Sequence, residues 1–216
     1  MASEILNRSG QSNYIAGNKV FILDGINDKT TAELIGNLSV LVDSLDWNPI
    51  FDSATAQVIN PYSFSAENHP IIDVYINSGG GNLSQTKSIM TLLNLARAKG
   101  AIIRTTNMGI AASCASLIAV QGTPKFRIMY EQAYNMIHYG KSTFSVDKVD
   151  EIERARKLEN EKRANFNAPY LKYTNLTDKE LKQFQKTEYG HMNAQKCLQK
   201  NICDWILTTD GKFITR

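Results

Sequence analysis

A serine set where a strand gives way to a helix is a natural place to seek a nucleophile. The run Met108-Gly109-Ile110-Ala111-Ala112-Ser113-Cys114-Ala115-Ser116 has that form. The Ser113 hydroxyl would stand free of the sheet, and small neighbours leave room for a substrate. The next amide N–H, that of Cys114, lies at the start of the helix, where a developing oxyanion is stabilised. The same residues also read as an N-cap with closely packed alanines around it. The block is neither a GxSxG elbow nor the start of an SxxK motif. Cys114 as nucleophile has little to depress its pKa beyond the helix start.

Three histidines are present, His69, His138 and His191. His138 closes the apolar run 134–138, and an imidazole at a strand end can serve as general base for a nearby serine. A structural histidine is the plainer alternative there, and His69 falls in a loop. The glycines Gly79, Gly80 and Gly81 directly follow another apolar run. They let the backbone turn sharply and offer N–H groups to an extended peptide or an oxyanion. A simple strand-to-helix turn would use them equally well. Neither GxGxxG nor GxxxxGK[ST] is present, which disfavours a phosphate cradle.

Elements of alternating type must hold these residues. Strands are predicted at 19–23 (KVFIL), 71–76 (IIDVYI) and 101–106 (AIIRTT), with shorter ones at 128–129 and 135–138. Helices are predicted after a Thr30 or Thr31 cap, from Leu83 to about Leu95, and from about Ala112 to Gln121. Met108-Gly109 is read as a turn. The charged stretch 146–173 reads as a long helix, with shorter helices at 176–184 and 194–199 and a terminal hairpin around Asp210-Gly211. Strands alternating with helices give an α/β domain with a largely parallel sheet. Residues 1–18 read as a flexible N-terminal arm and 19–216 as one domain. Within it, 44–70 lack periodicity and form an inserted excursion, in which a small hairpin is expected.

Composition excludes several classes. At 216 residues, 43% hydrophobic and 21% charged, with 13 Gly and 5 Pro, the chain is an ordinary globular protein. The 24 Lys+Arg and 21 Asp+Glu leave a formal charge of +3, with the signs interleaved; that argues against nucleic-acid binding. The 3 cysteines form no CxxC pair, so neither a zinc site nor a disulfide framework is expected. No window reaches the roughly 18 apolar residues of a membrane span, and no signal-peptide core opens the chain. A soluble cytoplasmic protein without metal or cofactor is the expectation.

Residues 19–140 resemble the ClpP family, the proteolytic subunits of Clp protease. Ile76-Asn77-Ser78 before Gly79-Gly80-Gly81 is similar to that family's Ile-Asn-Ser before Pro-Gly-Gly. Gly109-Ile110-Ala111-Ala112-Ser113 matches its Gly-x-Ala-Ala/Ser-Ser block. Asn135-Met136-Ile137-His138 resembles its Arg-x-Met-Ile-His strand, and residues 21–28 resemble its first strand and turn. The resemblance implies a ClpP/crotonase-like spiral of parallel strands and helices, with 146–173 as a protruding handle helix. It implies a serine endopeptidase in which Ser113 attacks and His138 takes the proton. The Gly80 and Cys114 N–H groups would hold the oxyanion, and Gly79 and Gly81 would bind extended polypeptide. It also implies stacked homo- or hetero-oligomeric rings and an ATP-dependent unfoldase partner.

Three positions depart from the family pattern. Gly79 replaces the proline, Cys114 replaces the usual Met, and Tyr189 stands where the third triad acid is expected. Glu188, one residue earlier, is the acid taken as orienter of His138; Tyr189 itself or a backbone carbonyl are the alternatives. Other functional readings are a non-catalytic ring subunit, a viral-type capsid-maturation protease, and a crotonase-fold acyl-CoA enzyme.

Overall fold

Runs of Val and Ile build the centre of the molecule, because strands buried on both faces need apolar side chains on both. The structure is a computed structural model that describes residues 12–64, 69–139, 149–187 and 190–216. The strands are β1 (Asn13–Ala16), β2 (Lys19–Ile22), β3 (Ile71–Ser78), β4 (Ile102–Ala112), β5 (Arg127–Tyr130), β6 (Tyr134–Ile137), β7 (Gly190–Asn193), β8 (Trp205–Leu207) and β9 (Phe213–Ile214). One sheet joins them in the order β1-β2-β3-β4-β5-β8-β9, while β6 pairs with β4 and β7. From β2 through β8 that path is parallel, and the β1–β2 and β8–β9 pairs at its ends are antiparallel. The α/β class with a mostly parallel sheet therefore holds. Within the segment expected to be a free arm, residues 13–16 are a sheet strand, turned back onto β2 through Gly17 at φ 60.

The helices are α1 (Asp28–Asp43), α2 (Leu83–Ala98), α3 (Cys114–Val120), α4 (Val149–Tyr173), α5 (Asp178–Thr187) and α6 (Ala194–Gln199). Helix α1 starts earlier than its threonines suggested. Asn27 Oδ1 accepts the Lys29 and Thr30 N–H groups at 3.0 and 3.1 Å, and Thr30 Oγ1 accepts the Asn27 N–H in return at 3.2 Å. An asparagine that satisfies two N-terminal donors outcompetes threonines already inside the first turn. Leu34, Leu38, Ile89 and Leu93 of α1 and α2 pack with Val20, Ile22, Val74 and Ile76 of the sheet. A second core gathers Ile137, Phe166, Tyr170, Leu181, Met192 and Ile206 around α4, α5 and β6–β8. Helix α4 is exposed along its first turns and buried at Phe166 and Tyr170, so it projects from the body at one end. Residues 146–148, the expected start of that helix, lie outside the described residues. None of the described helices is long and apolar enough to cross a membrane.

The excursion carries turns but no strand among its described residues; Phe51 and Phe64 pack edge-on against Phe126, and polar side chains from the body hold its backbone. Lys99 Nζ donates to the Val42, Asp43 and Leu45 carbonyls at 2.9, 3.3 and 3.1 Å. Lys125 Nζ reaches the Ala54 and Ala56 carbonyls at 3.1 and 2.7 Å. Arg104 forks onto both oxygens of buried Asp73 and donates to Pro61 O at 2.6 Å. Tyr62 lies over that guanidinium and shares a hydrogen bond with Thr106. An excursion without hydrophobic periodicity is thus ordered by side chains beneath it, not by its own pattern. Arg104→Met leaves Asp73 buried and unpaired, and is expected to lower unfolding free energy by about 3–5 kcal/mol. Urea denaturation of the single variant, beside Asp73→Leu/Arg104→Met in which most of the loss returns, checks this.

Candidate active site

Glycine and alanine are scarce inside strands, yet β4 carries Gly109, Ala111 and Ala112 near its C-terminal end. The Met108-Gly109 turn expected from sequence does not form. Instead β4 runs on for 11 residues. Its middle, from Thr105 to Asn107, pairs with β5 and its last residues pair in parallel with β6, Ala111 opposite Asn135 and Ala112 opposite Met136. Gly109 is needed because a Cβ there would lie 2.6 Å from Asn77 Oδ1. That same oxygen accepts the Ile110 N–H at 3.1 Å and keeps the strand extended through the bulge between Ile76 and Ser78.

Ser113 follows at the junction with α3, with φ 53 and ψ −122. A side-chain-bearing residue in this region stores about 1–3 kcal/mol of strain and must be held from both sides. Its N–H donates to Met136 O at 2.8 Å, and its carbonyl accepts the Ser116 N–H at 3.1 Å. Ser113 occupies the N-cap position of α3 as the sequence allowed, but its hydroxyl makes no capping hydrogen bond. What remains is a half-buried hydroxyl at a strained strand-to-helix corner, beside the Cys114 thiol and bonded to none of the helix's backbone N–H groups.

Cys114, the first residue of α3, is 3% exposed. Burial pushes its thiol up, against hydrogen bonds from Thr86 and the Gly81 N–H that act the other way. A protonated thiol packed in the core is no nucleophile at neutral pH. Its backbone N–H belongs to the first turn of α3, where helical partners are lacking.

Gly80 is pressed against the serine corner. A Cβ on it would come 2.5 Å from Ala112 O, 2.8 Å from Cys114 N and 2.9 Å from Ser113 Cβ, and its φ is +89. Only glycine lets the β3 loop lie this close. The Gly80 N–H, expected from sequence to be an open oxyanion donor, is directed to Ser78 Oγ at 3.1 Å. Gly81, at φ +147, is locked against Ile26, where a Cβ would lie 2.2 Å from the carbonyl oxygen. Gly79 alone faces open space.

His138 directly follows β6, two residues beyond the Met136 carbonyl that receives the Ser113 N–H. It is half-buried. Its neighbour Tyr139 sets one ring edge-on against Phe166 of α4, centroids 5.4 Å apart, and Arg163 lies over the Tyr139 ring at 4.9 Å. The long helix therefore buttresses the histidine end of β6. His69 is elsewhere, with Nδ1 2.9 Å from the Gly100 carbonyl; His191 lies opposite Met136 on β7, exposed. Glu188 and Tyr189 fall outside the described residues. They immediately precede Gly190, which opens β7 opposite Ile137. The fold thus gathers Ser113, His138, Gly80 and Cys114 at one end of the β4–β6 pair, with Gly79 and Gly81 on the adjoining loop. Sequence reading has Asn77, Ser78 and Met136 only as members of its motifs, with no role of their own; here the Asn77 and Ser78 side chains and the Met136 carbonyl each accept a backbone N–H and shape this corner.

The chain is similar to known proteins in sequence and in overall structure. The family model described as Clp protease matches residues 47–210. An ATP-dependent Clp protease proteolytic subunit from Ligilactobacillus salivarius is 31% identical over 148 residues, covering 66% of this chain and 70% of that protein. One of the same description from Chlorokybus atmophyticus is 27% identical over 145 residues, covering 64% of this chain but 53% of the relative. The chain therefore spans about half the length of the Chlorokybus relative. Among solved structures, the ClpP protease catalytic domain from Plasmodium falciparum superposes with a TM-score of 0.59 at 25% identity, over 90% of this chain and 87% of that one.

Proposed function

The chain belongs to the Clp protease family, whose model spans residues 47–210, and on that premise we propose that it is a serine endopeptidase subunit cleaving unfolded polypeptide. The observation that carries this reading is Ser113: strained, half-buried, making no cap bond, and tied through its N–H to the strand that His138 directly follows. Strain of this kind persists where the surroundings over-determine it, and it clusters at reacting groups.

Ser113 Oγ attacks the scissile carbonyl while His138 takes its proton and later passes it to the leaving amine. The Cys114 N–H is the first donor to the oxyanion, and Gly80 is the second, sharing its N–H with Ser78 Oγ. Gly79 and Gly81 flank the substrate, which lies extended along the loop after β3. Glu188 orients the imidazole from the segment before β7. Stacked rings, an ATP-dependent unfoldase that delivers substrate, and a cytoplasmic location complete the proposal.

A fluorophosphonate probe tests it, with the labelled residue located by peptide mass spectrometry and the oligomeric state recorded on the same sample. Label on Ser113, lost in Ser113→Ala, supports the assignment. An unlabelled, ring-assembled sample overturns it in favour of a non-catalytic subunit.

A further inference from the structure

Polar side chains buried between the two elements that hold a proposed catalytic pair need a reason to be there. Ser116, 0% exposed, is on α3 one turn after Ser113, and Asn135, 1% exposed, is on β6 beside Met136. Ser116 Oγ donates to Asn135 Oδ1 at 2.8 Å. The surrounding backbone bonds close a ring. Ser113 N–H donates to Met136 O, Ser116 N–H donates to Ser113 O, and the Ser116 side chain returns to Asn135, the neighbour of Met136. From behind, Tyr170 of α4 brings a fully buried hydroxyl next to Ser116, and it has no well-formed hydrogen bond among the described residues. The Ser116 proton is already committed to Asn135, so only its lone pairs face Tyr170.

We propose that the Ser116–Asn135 hydrogen bond is a positioning device that fixes the rotation of α3 against β6, and with it the aim of Ser113 at His138. The proposal rests on the Ser113–His138 reading above. The β4–β6 ladder, which ends in the bond from Ser113 to Met136, fixes where α3 starts relative to β6 but not how α3 is turned about its own axis. A second, directional bond one helical turn away removes that freedom, which apolar packing, being non-directional, does not. Helix α4 backs both halves of the device, since Tyr170 meets Ser116 while Phe166, in contact with Tyr170, holds Tyr139 beside His138. Small misalignments of reacting groups cost large factors in rate, so the bond is expected to act on turnover and not on substrate affinity.

The full chain is compared as wild type, Ser116→Ala, and Ser116→Ala/Asn135→Val, by fluorophosphonate labelling rate, by kcat and KM on an extended fluorogenic peptide, and by melting temperature. Ser116→Ala strands a buried carboxamide and lowers melting temperature, whereas the double variant removes both polar groups and regains it. The positioning role predicts a fall of about 10-fold in kcat and in labelling rate for both variants, with KM unchanged. Rates that recover together with melting temperature in the double variant, or that never fall, overturn it and leave the bond merely structural. Wild type that does not label at Ser113 instead overturns the proposed function, and the positioning role falls with it.

Discussion

Ser113→Ala is expected to lose at least about 10⁴-fold in kcat toward an extended peptide while its melting temperature stays within a degree or two of wild type. The two halves of that expectation come from different observations. The loss follows from removing the attacking oxygen, leaving only oxyanion donors and substrate binding. Unchanged stability follows because the hydroxyl makes no cap bond and the methyl group inherits the same backbone strain. Ser113→Gly separates the effects further. Glycine adopts φ 53 without penalty, so this variant is expected to be equally inactive yet more stable by about 1 kcal/mol. A serine that is costly to the fold and whose replacement by glycine stabilises it is retained for chemistry. If Ser113→Gly proves less stable than wild type in thermal and urea unfolding, the strain argument fails.

Gly80→Ala is expected to give the second largest loss of activity, although Gly80 contributes only a backbone N–H in the proposal. The added methyl would sit 2.5 Å from Ala112 O and 2.8 Å from Cys114 N, both backbone atoms that cannot swing aside. The positive φ adds strain whatever room is made. Relief requires the β3 loop and the serine corner to move apart by roughly 1 Å, displacing Ser113 and the Cys114 N–H together. Such a displacement costs about 10²-fold in rate. The expected result is a fall in kcat of about 10²–10³-fold with a loss of several degrees in melting temperature. Gly79→Ala is the control, because nothing lies within 4 Å of its Cβ; it should fold normally. A Gly80→Ala protein of wild-type activity would show that the close approach has no part in the chemistry.

How much of the fold and the site is legible in the sequence depends on the range of the forces involved. The strands 71–76 and 101–106 and the amphipathic helices are readable because apolar periodicity is local, and the glycine and serine blocks stand out by residue type alone. Strand β1 is not readable: Asn13–Ala16 is polar-flanked and short, and it becomes a strand only because β2 offers an edge to pair with. The Met108-Gly109 turn fails for the opposite reason. Local propensity favours a break there, but Asn77, more than 30 residues away in sequence, accepts the Ile110 N–H, and β6 supplies a partner for Ile110, Ala111 and Ala112. The excursion has no periodic pattern of its own, and its order comes from distant residues beneath it: Lys99, Arg104 and Lys125 hold its carbonyls, and Phe126 packs against its Phe51 and Phe64.

By itself the sequence determined the chemistry available: a serine among small residues, a histidine ending an apolar strand, glycines where a backbone must come close, and the family whose motifs these resemble. Tertiary structure alone decided their use. Whether Ser113 caps a helix or stands free depends on a dihedral that only the Met136 carbonyl and the α3 backbone can impose. Whether the Gly80 N–H is open or held depends on Ser78 Oγ. Both are settled by hydrogen bonds and close contacts that fall off within a few ångströms, and at that range residue order along a chain says little about which backbone meets which.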